Sequence, residues 1–328
     1  MYVVTGGAGF IGSNVAAAVD ERWPGRLVIC DHLHDGDKWL NVAKREIAEV
    51  VAPGNLFDFL DGHRDDVQAV IHMGAISATT EPDVDLVLEN NFRLSLRLWR
   101  WCTAQQVPFI YASSAATYGD GSQGFDDDGS IDALARLRPL NPYGWSKHLF
   151  DRLVARNLAN GYAHPPQWAG LKFFNVYGPN EYHKEGQKSV VAQIYPKARD
   201  DAPATLFESH HPDYADGGQL RDFVWVGDCV HVVMWLLENP SVSGLFNCGT
   251  GKARSFKDLA EAVFRALDKE PLIEYVPTPE IIRDRYQYFT EADMGRLRAA
   301  GYDRPFTELE DGVAKYVQRY LAGNDIYR

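Results

Sequence analysis

The sequence Thr5-Gly6-Gly7-Ala8-Gly9-Phe10-Ile11-Gly12 connects a short apolar segment at 2–5 to a segment with helical spacing at 11–21. In a strand-to-helix turn, the first of its three spaced glycines permits the tight bend, the second lets the backbone approach a pyrophosphate, and the third lets helix and strand pack closely. The unpaired N–H groups and the positive dipole end of such a helix attract phosphate. The turn therefore predicts a dinucleotide-binding fold.

Downstream of this turn, apolar strands alternate with helical patterns. Strands are predicted at 27–31, 67–73, 109–113 and 169–175, and helices at 85–105 and 143–160. Continuous apolar strands separated by helices are typical of a parallel sheet that is covered on both faces. The predicted fold class is α/β, with a Rossmann-like doubly wound parallel sheet and a smaller, mixed C-terminal lobe.

The pattern weakens after Tyr177, and residues 178–219 are rich in proline, glycine, histidine and charge. Such a segment predicts a loop-rich lobe over a binding site. Shorter elements are predicted at 223–238 and 244–248. Three helices are predicted after them: one capped by Ser255 that ends near 268, one near 290–300 and one near 306–321. We expect residues 1–175, with about 220–250, to form the Rossmann domain, and residues 176–219 and 251–328 to form the substrate-binding domain.

The composition limits the class of protein. The chain has 328 residues, 45% of them hydrophobic, and a formal net charge of −12, which favours a globular protein and argues against nucleic acid or an anionic membrane as the main partner. Its four cysteines form no C-x-x-C motif and lie in apolar segments, so we expect buried thiols in a cytoplasmic protein. Three consecutive acidic residues at 126–128 predict a solvated loop.

Two residues of opposite charge bear on which dinucleotide is bound. Asp31 ends the second predicted strand, and a carboxylate there usually binds the ribose 2′-hydroxyl, which favours NAD. Lys38 lies in the following loop, where its ammonium can pair with a 2′-phosphate, which favours NADP. These residues alone leave both cofactors open.

A second motif, Asn141-Pro142-Tyr143-Gly144-Trp145-Ser146-Lys147, places a phenol and an ammonium four residues apart on a predicted helix. Residues i and i+4 share a helix face, and a proline suits the first turn. We expect the Lys147 ammonium to lower the pKa of Tyr143, which would make the pair a general acid/base. Ser113 and Ser114 end a predicted strand, where a hydroxyl can orient a substrate alcohol. Alone, each feature is more often a surface pair or a turn.

Together, these motifs resemble the extended short-chain dehydrogenase/reductase superfamily, which includes nucleotide-sugar epimerases and dehydratases. The resemblance implies that Tyr143 is the acid/base, that Lys147 lowers its pKa and holds the nicotinamide ribose, and that Ser114 orients the reacting hydroxyl. It also implies that Arg221 binds the diphosphate of the substrate, since a guanidinium binds phosphate oxygens in a fork.

Four further stretches, at 112–119, 174–184, 285–293 and 297–302, narrow the resemblance. They are similar to the ADP-glycero-manno-heptose 6-epimerase family over essentially the whole chain. That family oxidises the carbon 6 alcohol of the heptose to a ketone and reduces it again on the opposite face with a retained NADP, in lipopolysaccharide core synthesis. The resemblance implies a second base, Lys184, whose pKa must be lowered by burial or by a nearby cation such as Lys147 or His183.

The resemblance also implies a set of binding residues. The cofactor-binding residues are Gly6, Gly9, Phe10, Ile11, Gly12, Asp31, His32, Lys38, Met73, Gly74, Ala75, Ile76, Ser77, Asn90, Lys147, Val176 and Lys184. The substrate-binding residues are Ser114, Asn175, Gly186, Gln193, Phe207, Glu208, Ser209, His210, Arg221 and Tyr286. The chain departs from the family at Gly186 and Gln193, where the family has serine and histidine, and at Pro53, where it often has lysine.

The resemblance implies tightly bound NADP, one per subunit, with NAD as the alternative. It further implies a nucleotide-sugar substrate, no metal, and a homo-oligomer, which is a pentamer if the family pattern holds. We expect neither nucleic acid nor a membrane as partner.

Other functions differ from this one in the residues that they require. A hexose 4-epimerase of the same superfamily is the nearest alternative, and analysis of the product would separate the two. A 4,6-dehydratase needs an Asp-Glu pair where this chain has Ala115 and Ala116. A regulator that binds NADP without turnover typically lacks the tyrosine or the lysine. A metal site at His210 and His211 is disfavoured because adjacent histidines rarely chelate one ion.

Overall fold

A computed structural model of the chain describes residues 1–283 and 287–328. Its strands are β1 (Tyr2–Thr5), β2 (Leu27–Cys30), β3 (Ile47–Val51), β4 (Ala69–His72), β5 (Phe109–Ser114), β6 (Trp168–Phe173), β7 (Asn175–Tyr177), β8 (Ala204–Phe207), β9 (Leu220–Arg221), β10 (Phe223–Trp225), β11 (Gly244–Cys248), β12 (Arg254–Ser255) and β13 (Ile273–Val276). Its helices are α1 (Phe10–Arg22), α2 (Leu56–Gly62), α3 (Val84–Leu88), α4 (Leu94–Gln105), α5 (Ile131–Arg136), α6 (Pro142–Ala159), α7 (Val190–Arg199), α8 (Val226–Glu238), α9 (Phe256–Arg265), α10 (Glu280–Arg283), α11 (Gly295–Ala299) and α12 (Leu309–Tyr316).

Seven strands form a parallel central sheet in the order β11-β6-β5-β4-β1-β2-β3. Helices pack on both faces of this sheet. One apolar core contains Val15 of α1 and Val232 of α8, and a second core contains Trp99 of α4 and Phe150 of α6. The predicted α/β class with a Rossmann-like sheet is confirmed.

The order of the strands reverses between β1 and β4. The chain runs outward from β1 to β3, returns to β4 on the other side of β1, and then continues to β5 and β6. In open α/β sheets, ligands bind in the crevice at the carboxyl ends of the strands beside such a reversal. The topology therefore places a ligand crevice beside the glycine turn that follows β1.

A smaller lobe is built around a third apolar core, which contains Val191 of α7, Phe264 of α9 and Val313 of α12. Strands β8 and β13 pair in parallel beside it. Helix α9 begins with a capping box, in which the side chains of Ser255 and Asp258 each accept the backbone N–H of the other. The predicted residue boundaries between the two domains stay a prediction.

The structure corrects several predicted elements. Segment 178–219 contains α7 and β8, so its description as loop-rich is wrong there; Pro196 inside α7 disguised a helix that Ser189 caps. Strand β3 was not predicted, because it is an edge strand with exposed charge and has no continuous apolar run. Helix α2 was not predicted either. The helix predicted from 290 begins at Gly295.

The acidic stretch at 126–128 is not a fully solvated loop, which is a further correction. Asp127 is completely buried and accepts a 2.6 Å hydrogen bond from the backbone N–H of Asn247 on β11. Burial raises the pKa of this carboxyl to about 6. The sequence pattern could not separate this one buried acid from its exposed neighbours.

Residues 326–328 lie against helix α1 and the loop after β7. The backbone N–H of Arg328 donates to Oδ1 of Asn180 at 3.0 Å, and its guanidinium donates to the carbonyl of Asn14 in α1 at 3.0 Å. The hydroxyl of Tyr182 donates to the carbonyl of Ile326 at 2.6 Å. The end of the described chain therefore connects the Rossmann helix α1 to the loop at 180–182.

The glycine turn sets a steric limit that a substitution can test. A Cβ at residue 12 would lie 2.0 Å from the carbonyl oxygen of Gly6. We expect Gly12→Ala to lower the free energy of unfolding by about 1–3 kcal/mol, the usual cost of forcing extra atoms into a packed site. Urea unfolding followed by circular dichroism measures this change.

Gly54→Ala is the matched control, because a Cβ there meets no atom within 4 Å. It should leave the unfolding curve unchanged. Equal unfolding midpoints for the two variants would contradict the close approach of α1 to the glycine turn.

Candidate active site

A cavity of about 800 Å³ opens at the carboxyl ends of the central strands. We call it the main cavity. All the residues predicted to bind the cofactor line it, namely Gly6, Gly9, Phe10, Ile11, Gly12, Asp31, His32, Lys38, Met73, Gly74, Ala75, Ile76, Ser77, Asn90, Lys147, Val176 and Lys184. Pro53 lines it as well. The structure thus brings these residues together, and their contacts with a ligand stay a prediction.

The glycine turn and the start of α1 form one wall of the main cavity. Gly6 has a positive φ of 63°, which glycine adopts without strain. Gly9 is the N-cap of α1, and no side chain caps the helix. The N–H groups of the first turn are therefore available to an anion, and they fit the pyrophosphate of a dinucleotide.

Asp31 is held at the end of β2 by three donors. Its carboxylate accepts the backbone N–H of Ala8 at 2.9 Å and that of His32 at 2.7 Å. The ammonium of Lys38 forms an ion pair with the same carboxylate at 2.6 Å. The two residues that favoured different cofactors are thus paired, and the negative charge of Asp31 is neutralised.

Tyr143 and Ser114 meet inside the main cavity. The first turn of α6 is fixed by Asn141, whose side chain accepts the backbone N–H of Gly144 at 2.8 Å. Tyr143 is hydrogen-bonded to Ser114, which is the N-terminal cap of the turn after β5. Burial raises the pKa of the Tyr143 phenol, and the hydrogen bond to Ser114 lowers it only in part.

The predicted effect of Lys147 on Tyr143 is therefore not found in the protein without ligands. Lys147 is 3% exposed, and burial lowers its pKa to about 8, while Asp151 opposes that change. The ammonium is still mostly charged at neutral pH. Burial nevertheless dominates the pKa of the phenol, and the prediction that Lys147 lowers it is corrected.

A buried ion pair, which the sequence reasoning missed, lies beneath these groups. Asp151 is on α6 one turn after Lys147, and its carboxylate lies 3.4 Å from the ammonium of Lys172 on β6. The same carboxylate accepts hydrogen bonds from Ser113 at 2.7 Å and from Tyr111 at 3.1 Å. Asp151 lies four residues after Lys147 on the same helix face, and this spacing is the sequence feature that could have revealed it. The pair fixes the serine end of β5 against the helix that carries Tyr143.

Lys184 enters the main cavity from the 3₁₀ turn Tyr182–Gln187, which follows β7. Its ammonium lies 5.5 Å from the centre of the Phe10 ring. Burial lowers the pKa of Lys184, and the charge of Glu181 opposes this. The lowered pKa was predicted, and of the two causes considered, burial is the one found; no nearby cation among the described residues contributes. Glu181, which also lines the cavity, was not predicted.

The predicted substrate residues are spread more widely. Ser114 and Asn175 line the main cavity. Gln193 and Phe207 line a side cavity of about 300 Å³, which shares Val190 and Phe256 with the main cavity. The remaining described residues of the set line neither cavity, namely Gly186, Glu208, Ser209, His210 and Arg221. Tyr286 lies outside the described residues.

Two of the departures from the family pattern are in contact. The side-chain amide of Gln193 donates to the carbonyl of Lys188 at 2.6 Å and lies 3.5 Å from the carbonyl of Gly186. Arg221 is next to the shared wall of the two cavities, with its guanidinium 5.6 Å from the centre of the Phe256 ring. Gln193, where the family has histidine, therefore hydrogen-bonds to the loop that follows Lys184.

Within residues 1–283 and 287–328, no group of three or more His, Cys, Asp or Glu is arranged to hold a metal ion. No described helix has the length and apolarity needed to cross a membrane. The four cysteines are buried and unpaired, as predicted.

Comparisons with known proteins show which proteins this chain is similar to. The NAD dependent epimerase/dehydratase family matches residues 2–249. The ADP-L-glycero-D-manno-heptose-6-epimerase of Nitratidesulfovibrio vulgaris (strain Hildenborough) is 52% identical over 328 residues, covering 99% of each chain. The crystal structure of the Helicobacter pylori ADP-L-glycero-D-manno-heptose-6-epimerase has a TM-score of 0.80 at 28% identity, covering 97% of this chain and 95% of that one. The UDP-glucose 4-epimerase of Thermus thermophilus in complex with NAD has a TM-score of 0.72 at 26% identity, covering 97% of each.

The buried ion pair beneath the site is open to test. Asp151→Asn would leave the Lys172 ammonium without its charged partner. We expect a loss of about 3–5 kcal/mol in the free energy of unfolding, as for other broken buried pairs. Glu89→Gln breaks the exposed pair with Arg93 and serves as the control, which should change stability little. An Asp151→Asn variant as stable as the control would contradict the assigned role of the pair.

Proposed function

The chain belongs to the NAD dependent epimerase/dehydratase family, and we propose that it converts ADP-D-glycero-D-manno-heptose to ADP-L-glycero-D-manno-heptose by inverting carbon 6. This reaction supplies the heptose of the lipopolysaccharide core. One observation carries the proposal: a single cavity contains Tyr143 with Ser114 from one side and Lys184 from a separate loop. Full-length identity of 52% with a relative of that name supports it.

The first half of the reaction requires a base at the carbon 6 hydroxyl. Tyr143 and Lys147 would lie beside a bound nicotinamide, which would supply hydride transfer from and back to carbon 6 and, when oxidised, a positive charge that favours the Tyr143 phenolate. As the phenolate, Tyr143 takes the proton of the carbon 6 hydroxyl, and Ser114 orients that hydroxyl. Lys147, one turn along α6, has a pKa of about 8, so it remains charged at neutral pH, and we propose that it holds the nicotinamide ribose.

The second half requires a proton on the opposite side of the substrate ketone. Lys184 comes from the turn after β7, whereas Tyr143 comes from α6. After the side chain of the sugar has rotated, the ammonium of Lys184 gives its proton to the ketone oxygen. Because burial lowers the pKa of Lys184, its neutral form is accessible for the reverse direction.

We propose NADP as the cofactor, with NAD as the alternative. A free carboxylate at the end of β2 would repel a 2′-phosphate. Here Lys38 pairs with Asp31 at 2.6 Å and neutralises it, and both residues line the cavity with His32. The protein is further proposed to be a cytoplasmic homo-oligomer, a pentamer if the family pattern holds, which light scattering after size exclusion would test.

A hexose 4-epimerase is the second candidate. The 4-epimerase of Thermus thermophilus shares the fold at a TM-score of 0.72, so the fold alone does not exclude this reaction. The position of Lys184 in the cavity favours the heptose reaction, because a second proton-transfer group suits inversion of a side-chain alcohol. A 4,6-dehydratase would need an acidic pair after the serines, and this chain has Ala115 and Ala116 there.

A direct assay tests the proposed function. Purified protein is incubated with ADP-D-glycero-D-manno-heptose and no added cofactor, and the two carbon 6 epimers are resolved by anion-exchange chromatography. A mixture of both epimers supports the reaction and retention of the cofactor. Unchanged substrate, even with added NADP or NAD, would overturn the heptose assignment, and UDP-hexoses would then be assayed for inversion at carbon 4.

Two variants test the proton-transfer residues in the same assay. We expect Tyr143→Phe and Lys184→Met each to lower kcat by about 10² or more, the usual contribution of a positioned acid/base. Tyr162→Phe, at a position that is 59% exposed, is the control and should keep the normal rate. A rate near normal for either site variant would remove that residue from the mechanism.

A third variant tests the choice of cofactor. Lys38→Met leaves the charge of Asp31 unbalanced, so it should weaken NADP binding about tenfold or more while weakening NAD binding much less. Calorimetry on protein freed of bound nucleotide measures both affinities. Lys257→Met removes an exposed charge on α9 and should change neither. Equal losses for NADP and NAD would contradict a role of Lys38 at the 2′-phosphate.

A further inference from the structure

One buried carboxylate, that of Glu181, accepts hydrogen bonds across the loop that carries Lys184. Glu181 is 1% exposed, and it stands just before the turn that contains Lys184. Its carboxylate accepts both the backbone N–H and the hydroxyl of Ser189, the latter at 2.6 Å. The hydroxyl of Tyr316 on α12 donates to it at 3.0 Å. Glu181 therefore connects the start of the loop to the N-cap of α7 and to the smaller lobe.

The geometry of the turn places Glu181 and Lys184 on the same side. The backbone N–H of Lys184 donates to the carbonyl of Glu181 at 3.0 Å, which is the i to i+3 bond of a 3₁₀ turn. Side chains at i and i+3 eclipse each other in such a turn. Both residues line the main cavity. Glu181 and Lys184 thus belong to the same wall of the cavity, and the charge of Glu181 acts on the Lys184 ammonium.

Several charged and titratable groups lie around this wall, and Lys188 and the Lys38–Asp31 pair line the same cavity. Burial raises the pKa of Glu181, and the three hydrogen-bond donors and Lys184 oppose that change. Tyr182 and Tyr316 lie behind the carboxylate, and burial raises the pKa of both phenols. His183, whose pKa is lowered to about 4, is neutral. Glu181 is therefore the anion that faces Lys184 on this wall.

We propose that Glu181 is a positioning residue for Lys184: it closes residues 181–189 through Ser189 and Tyr316, and its charge holds the ammonium toward the substrate. The inference deepens the proposed function, because it rests on the role of Lys184 as the second acid/base. Glu181 itself touches no reacting atom in this scheme. It sets both the place and the protonation of the group that does.

The test measures the titration of Lys184 directly. The holoenzyme is trace-acetylated with acetic anhydride from about pH 6 to about pH 11, and mass spectrometry gives the labelling rate of each lysine, whose midpoint reports its pKa. In Glu181→Gln, the Lys184 midpoint should fall by about one pH unit, since a nearby opposite charge is lost. The kcat of Glu181→Gln for epimerisation should fall about tenfold at neutral pH, with a smaller change in KM.

Two variants separate charge from structure. Glu181→Asp keeps the charge and should return the midpoint toward that of the unchanged protein. Ser189→Ala removes one hydrogen bond from the same carboxylate but keeps the charge, so its midpoint should fall much less than in Glu181→Gln. A shift in Ser189→Ala as large as in Glu181→Gln would show that loosening of the loop is the cause and would overturn the proposal.

An unchanged Lys184 midpoint in Glu181→Gln would also overturn it. The labelling needs no turnover, so this failure is distinct from failure of the proposed function, which the epimer assay tests. If Glu181→Gln does not fold, Tyr316→Phe tests the same clamp. With one donor lost, the carboxylate charge is less stabilised, and the Lys184 midpoint should fall in Tyr316→Phe by a smaller amount; no shift there would contradict the proposal.

Discussion

Helix α1 approaches the glycine turn after β1 so closely that residue 12 has no room for a side chain. This approach sends the first turn of α1 to the carboxyl end of the sheet with its N–H groups uncapped. It also brings the backbone of Ala8 within reach of Asp31, just after β2, which in turn pairs with Lys38. One steric constraint in the first dozen residues therefore shapes both the wall of the main cavity at the glycine turn and the end of the cavity at Asp31.

Burial governs the ionisable groups of the site. It raises the pKa of the Tyr143 phenol and lowers the pKa values of Lys147 and Lys184, so each group is drawn toward its neutral form. The pKa values of the two lysines therefore move toward neutral pH, where a general acid/base is most effective, and the pKa of the phenol moves away from it. The charges that remain are held in place by buried partners, Asp151 under the tyrosine side and Glu181 beside Lys184. In the proposed reaction, two proton-transfer groups on separate elements thus act on one substrate from the same cavity.

The sequence was sufficient for the sheet and the family, because these depend on local patterns: a glycine turn, apolar strands and a tyrosine–lysine spacing. The four residues predicted to be catalytic line one cavity, and their roles stay a prediction. The predicted family is confirmed. What the sequence lacked was burial and long-range pairing. Asp127 looked like its exposed neighbours, α7 was hidden by Pro196, and Glu181 acts through Ser189 and Tyr316, which are distant in sequence. The direction of the pKa shift at Tyr143 was mistaken for the same reason, since a spacing motif reveals a neighbour but not the loss of water.

The contacts of residues 326–328 with Asn14, Asn180 and Tyr182 have a consequence for where the protein tolerates change. They join the loop at 180–182 to residues that lie 144 and 148 positions later in the sequence. None of residues 326–328 lines the main cavity. A change in these three residues would therefore loosen the segment that leads to Lys184 without altering the cavity lining itself.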